Sequence, residues 1–206
     1  MKLKAHGMKK AVLTVACFLL AVSMTAVAQE MRSEISVQGM GFLTKDSEGN
    51  GIQNHASNTG GFLVGYRYNI NPWLAAEANY GYARNTQNFF GIVPASVQAN
   101  VHEITGSAVV NLHHIFRLYP YVLGGGGALV FDPTGNAGGT FAGATEETRG
   151  TFLYGAGADY PLTRHLSLRA EYRGLVYKAP SFNLTSLDSD TWTHVAQPSV
   201  GFAFRF

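Results

Sequence analysis

Nine charged side chains recur inside segments that are otherwise apolar, aromatic or rich in glycine: Glu34, Arg67, Glu77, Glu103, Asp159, Arg169, Glu171, Arg173 and Arg205. Each falls on the polar phase of a period-two alternation, so each projects to the same side of a strand as its small neighbours. Five acids stand against four bases, close to neutrality. Charges in a narrow polar interior are expected to pair rather than stand alone. Arg169, Glu171 and Arg173 share one face of one strand and are placed to bridge to Glu77 or Glu103 on others. Two chemistries fit such a set: a charged lumen that gates or selects ions, or a salt-bridged plug that fixes register. The plug is the preferred reading, because eight strands make an interior just wide enough for its own side chains to fill.

Other residues with chemical potential lack the company they need. His113, His114 and His165 lie in neighbouring short connectors. Adjacent histidines are expected to point apart on an extended chain, and no carboxylate is spaced with them, so they read as solvated turn residues rather than a metal site. Gly124–Gly127 has no following Lys-Ser/Thr and opens no helix, which excludes a phosphate loop; it suits curvature or interior packing within a strand. Asp188 and Asp190 are too few acids for a calcium loop. No catalytic residue, metal or cofactor is expected.

The elements that must carry the nine charges are strands. Alternating segments run Glu34 to Leu43, Gly60 to Tyr68, Trp73 to Ala83, Val101 to Leu112, Tyr119 to Phe131, Phe152 to Tyr160 and Leu166 to Tyr177, and the last is Ser199 to Phe206. Most approach the length that a tilted strand needs to cross a bilayer core. In the fifth segment Tyr121, Leu123, Leu129 and Phe131 are assigned to the apolar outer face. Connectors alternate between short (69–72, 113–118, 161–165) and long (about 44–59, 84–100, 132–149, 178–193), the rhythm of periplasmic turns and external loops.

The leader stands apart. Lys2, Lys4, Lys9 and Lys10 precede an apolar run from Ala11 to Val22, and Ala26-Val27-Ala28 offers a small-x-small cleavage site, so residues 1–28 read as a secretory signal and 29–206 as the mature domain; Met1 or Met8 can initiate. The one cysteine, Cys17, lies inside the leader with Thr14 three positions before it, which argues against lipidation and leaves a thiol-free mature chain. Four of the fifteen Lys and Arg leave with the leader, so eleven face thirteen Asp and Glu. The basic balance therefore belongs to the leader and implies no nucleic-acid partner.

The final segment alternates Ser199, Gly201, Ala203 and Arg205 with Val200, Phe202, Phe204 and Phe206. Ser199, Gly201, Phe204 and Phe206 resemble the carboxy-terminal sorting signal of bacterial outer-membrane β-barrels. With the leader, the eight segments and Leu166-Ser167-Leu168-Arg169-Ala170-Glu171-Tyr172-Arg173, the mature chain resembles the OmpA-type or opacity-type barrel domain. The resemblance implies an all-β, eight-stranded antiparallel up-and-down transmembrane β-barrel in the outer membrane. Its implied partners are outer-membrane lipid and the barrel-insertion machinery, and no peptidoglycan-binding domain follows. A soluble up-and-down barrel shows the same period with its faces exchanged. It is disfavoured by aromatics near strand ends (Tyr66, Tyr68, Tyr80, Tyr82, Tyr119, Tyr121, Phe131, Phe152, Tyr160) and by the small, lysine-free polar face. Some barrels of this kind modify lipid A with a His-x-Ser pair. His165-Leu166-Ser167 has that spacing, but it lies at a periplasmic turn with Ser167 in the lumen phase, so no enzyme is expected. Function then falls to the loops. Phe89, Phe90, Ile92 and Val93 in connector 84–100 form a candidate surface patch for an unknown ligand. The expected function is a monomeric, non-enzymatic envelope or surface-interaction barrel, with a small pore as the alternative.

Overall fold

Alternation of large outward and small or polar inward side chains drives most of the described residues into β-strands. The computed structural model describes residues 31–206 apart from 46, 50–51, 91–94, 135–145 and 179–191; at 47–49, 52–56, 87–90 and 95–97 it describes the backbone alone. The expected leader, residues 1–28, lies outside the described residues. The strands are β1 (Ser33–Thr44), β2 (Ser47–Gly49), β3 (Ile52–Ala56), β4 (Thr59–Asn69), β5 (Leu74–Phe90), β6 (Ala95–Asn111), β7 (Tyr119–Pro133), β8 (Glu147–Pro161), β9 (Leu166–Lys178) and β10 (Trp192–Arg205). Eight of them, all antiparallel, form one closed barrel: β1 pairs with β4 and β10, and β5 pairs with β6. The short strands β2 and β3 form a hairpin that adds to the far end of β5. No helix occurs among the described residues.

The two faces are sorted the opposite way from a soluble barrel. Outward Val37, Ile104, Phe152, Val200 and Phe202 are each more than half exposed. A continuous apolar wall of this kind far exceeds what a water-facing surface tolerates and matches a hydrocarbon surround. Inward positions fall into two layers. At the end with the short turns lie Glu34, Arg67, Glu77, Asp159, Arg169 and Glu171; towards the long-loop end lie Phe42, Leu63, Val101, Leu129, Phe131, Leu153, Leu175, Tyr177 and Val195, all essentially inaccessible.

Four expectations need correction. Tyr121, Leu123, Leu129 and Phe131 of β7 point inward and are buried, while Val122 faces out. Both faces of β7 are apolar or glycine, so alternation gave its period without its sign. Connector 84–100 is mostly strand: β5 continues to Phe90 and β6 begins at Ala95. Connector 44–59 holds the β2–β3 hairpin, and β10 starts seven residues before Ser199, at Trp192.

The glycine run of β7 is a packing device. Gly125 and Gly127 lie opposite Ser107 and Thr105 of β6, where a Cβ would collide with the Gly106 and Ile104 carbonyl oxygens; Gly124 faces outward, where a Cβ would meet only the Leu153 carbonyl oxygen at 4.0 Å. Backbone cannot yield as a side-chain tip can, so Gly125→Ala is expected to lower folded yield severalfold while Gly124→Ala leaves it intact. The heat-modifiable shift of the refolded barrel on gels measures both. Equal yields would contradict this packing.

Candidate functional site in the barrel lumen

Register brings the charges together. Glu34 lies directly opposite Arg205 on β10 and Arg67 on β4, Arg67 opposite Glu77 on β5, and Asp159 opposite Arg169 on β9. These are cross-strand neighbours of opposite sign, the unit of sheet specificity. The longest side chains sit beside inward glycines on an adjacent strand. Glu103 is opposite Gly81, Glu171 and Tyr121 are each opposite Gly157, Arg173 is opposite Gly155, and Arg169 is opposite Gly201. A Cβ at Gly157 would meet the Tyr121 ring. Small residues thus open the volume into which charged ones reach.

The resulting network has two centres. In the first, Arg169 donates from Nε to Asp159 Oδ1 and from Nη2 to Asp159 Oδ2 and Glu34 Oε2, each at 2.7 Å. Arg67 Nε donates to Glu77 Oε2 at 2.5 Å. The Arg67 guanidinium lies 4.1 Å from the centre of the Tyr121 ring, and the Tyr121 hydroxyl donates to Glu171 Oε2 at 2.7 Å. Arg205 closes the rim, its Nε donating to Glu34 Oε1 at 2.9 Å. In the second centre, deeper in the barrel, Arg173 Nη2 donates to Glu103 Oε1 at 2.7 Å and Thr105 Oγ1 at 2.8 Å. Gln197 Nε2 donates to Glu103 Oε2 at 2.7 Å. Arg173 Nε, 3.7 Å from Glu171 Oε1, joins the two centres. Charge-assisted, partly bidentate bonds of this sort are the strong ones, and they offset the desolvation of side chains as buried as Arg169 and Arg173.

A cavity of about 640 Å³ opens at the short-turn end and reaches inward to Glu34, Arg67, Tyr121, Asp159 and Arg205, with His113 and His114 on its lip. The two histidine rings stack at 4.7 Å instead of pointing apart, because the chain leaves the extended conformation at the turn. His165 is held elsewhere, its Nδ1 3.0 Å from the Arg205 carbonyl oxygen and its ring stacked on Phe204. No group of three metal-ligating side chains forms among the described residues.

The remaining sequence candidates are placed as follows. Ser199 points inward and donates to Gln38 Oε1 at 3.0 Å; Gly201 packs against the Val37 carbonyl; Phe204 faces out. Phe206 is tied by its backbone amide to the Ser33 carbonyl oxygen at 2.8 Å. Phe89 and Phe90 end β5, their backbones paired with Asn54 and Gln53 of β3, and their side chains lie outside the described residues, as do Ile92 and Val93 altogether. Sequence reasoning missed Tyr121, Thr105 and Gln197. Tyr121 went unseen through the inverted phase of β7, although its pairing with a glycine-bearing strand that also carries Asp159 is a signal for an inward position. Gln197 went unseen because Pro198 interrupts the alternation before Ser199.

Removing one member leaves buried charges without partners, and the cost of a broken buried pair is ~3–5 kcal/mol. Arg169→Met is therefore expected to destabilise the barrel by about that amount in urea titrations with lipid vesicles, and an effect under ~1 kcal/mol would show the pairing to be energetically idle.

Comparison with known proteins agrees with this architecture. The outer membrane protein beta-barrel domain family matches residues 14–206. No curated protein matches at a significant level. Among solved structures the fold is similar to OprG from Pseudomonas aeruginosa (TM-score 0.59, 14% identity, 84% of this chain and 95% of that one). It is also similar to Neisserial surface protein A (0.55, 16%, 84% and 97%) and to Ail, the attachment invasion locus protein of Yersinia pestis (0.50, 19%, 85% and 99%). With a matching family over nearly its whole length and an apolar outer wall around a polar lumen, the chain belongs to the outer membrane protein beta-barrel domain family and resides in the bacterial outer membrane.

Proposed function

We propose that this barrel is a sealed, non-enzymatic element of the outer membrane that acts through its long external segments, as an envelope component or a surface-interaction platform. The observation that carries the reading is the filled external half of the lumen. Phe42, Leu63, Val101, Leu129, Phe131, Leu153, Leu175, Tyr177 and Val195 occupy it with accessibility of 1% or less. A layer packed to that degree leaves an ion no room, and the apolar side chains that dominate it, with Asn85, Thr151 and Thr193 among them, raise its dehydration cost. Below it the charged layer pairs internally, which suits a fixed framework rather than a conducting path. In this reading the barrel is a monomer, the terminal strand ending at Phe206 serves the insertion machinery, and the external segments meet any surface ligand.

A small pore is the second reading, and the cavity of about 640 Å³ favours it, because it brings the periplasmic side into contact with Arg67 and Asp159. Single-channel recording of the refolded mature chain in a planar bilayer separates the two. A sealed lumen predicts no discrete openings from protein shown to be folded. Openings whose size or selectivity shifts in Glu77→Gln or Arg169→Gln would give the pore reading the lead.

A further inference from the structure

The three turns at the periplasmic end carry a charge pattern that the lumen does not explain. Residues 70–73, 112–118 and 162–165 include Arg117, Arg164, His113, His114 and His165 and contain no Asp or Glu. The same turns expose large apolar side chains, among them Trp73, Ile115 and Phe116. Phe116 is extreme: it is 96% exposed, and its backbone is left-handed at φ 54°. A bulky residue at positive φ is strained, and such strain persists only where the surrounding structure imposes it. Here the imposing element is a tight turn closed by the reciprocal Ile115–Leu118 backbone bonds of 2.9 and 3.0 Å.

Two contacts say where this turn goes. Leu112 N–H donates to the Pro120 carbonyl at 2.9 Å, so the turn continues the wall of β6 and β7 beyond the strands. The Arg117 guanidinium lies 5.6 Å from the ring centre of Tyr160, a residue on the outward, lipid-facing side of β8. The tip of the turn at Arg117 therefore leans onto the outer wall, while His113 and His114 behind it border the cavity. That puts Ile115 and Phe116 next to a surface already committed to lipid, with arginine at the level where headgroups begin.

We propose that residues 112–118 form a membrane foot: Ile115, Phe116 and Leu118 enter the periplasmic leaflet, while Arg117, with Arg164 of the neighbouring turn, holds the phosphates of anionic phospholipids. Apolar side chains beside arginine, with no acid in the set, match an interface that is oily below and negatively charged above. A periplasmic protein is the competing occupant, and continuity with the lipid-facing wall favours lipid.

The mature chain contains no cysteine, since Cys17 belongs to the leader segment, so a single nitroxide label reports without background. Phe116→Cys, and separately Ile115→Cys, would be labelled in the refolded barrel. Each would be placed in vesicles of phosphatidylethanolamine and phosphatidylglycerol, with oxygen and a water-soluble nickel chelate as collision partners. The foot predicts oxygen-dominated collisions at both sites, and Arg117→Gln is expected to shrink the immersed fraction by roughly fivefold, the worth of one basic residue at an anionic surface. Nickel-dominated collisions at both sites would overturn lipid insertion and point to a protein partner. Immersion that is equal in uncharged phosphatidylcholine and indifferent to Arg117→Gln would overturn the anionic headgroup contact.

Discussion

Arg169 is the contact on which the rest of this barrel depends. Its guanidinium is 1% exposed and shared between Asp159 beside it and Glu34, two strands away in the sheet on the far side of β10. A buried cation cannot be left unmet, so the two carboxylates must arrive at one height, and only one set of strand offsets does that. Glu34 is simultaneously opposite Arg205 and Arg67, which spreads the constraint over β1, β4, β9 and β10. A slip of one residue at any of these seams would turn a charged row toward hydrocarbon and an apolar row toward the lumen. The seam between β1 and β10, which closes the barrel, is thus pinned by charge at its short-turn end.

The half of the lumen at the long-loop end obeys different physics. Its large side chains are apolar and fill space by packing, with the buried and hydrogen-bonded Asn85, Thr151 and Thr193 set among them. Polar register-setting at one end and apolar sealing at the other make a rigid cylinder whose outer wall faces lipid. Rigidity of this kind leaves variation to the loops. The β2–β3 hairpin and the extended β5–β6 ribbon show the fold carrying sheet beyond the barrel at the long-loop end. The two families of contact also divide the chemistry: the cavity at the short-turn mouth touches charge, whereas the long-loop side meets a largely apolar layer.

Much of this was legible in the sequence, for a physical reason. Where one face is lined by Glu, Arg, Ser and Gly and the other by Val, Phe and Tyr, period two carries a sign, and β4, β5, β8 and β9 could be oriented residue by residue. β7 could not, because its inward Tyr121, Leu123, Leu129 and Phe131 look as apolar as its outward Val122 and Val130. The consequence reached the site: Tyr121, which stacks under Arg67 and donates to Glu171, was placed on the wrong wall. The nine charges could be gathered into one lumen from phase alone. Their partners could not, since Asp159 as the main mate of Arg169 depends on strand offset, which no single strand encodes. The apolar seal was harder to read: Leu63 falls on the inward phase of β4, but single strands do not show that Phe42, Leu63 and Leu175 share one layer of the lumen.

The most direct test of a cross-lumen charge framework is a double-mutant cycle on Arg173 and Glu103, which meet at 2.7 Å from β9 and β6 on different sides of the barrel. Arg173→Met, Glu103→Gln and the pair would be compared by urea unfolding in lipid vesicles. A coupling energy of about 2 kcal/mol or more is predicted, with the double variant less damaged than the single costs would sum to. Additive losses, agreeing within ~0.5 kcal/mol, would mean that the two groups do not depend on each other and that packing alone sets the register.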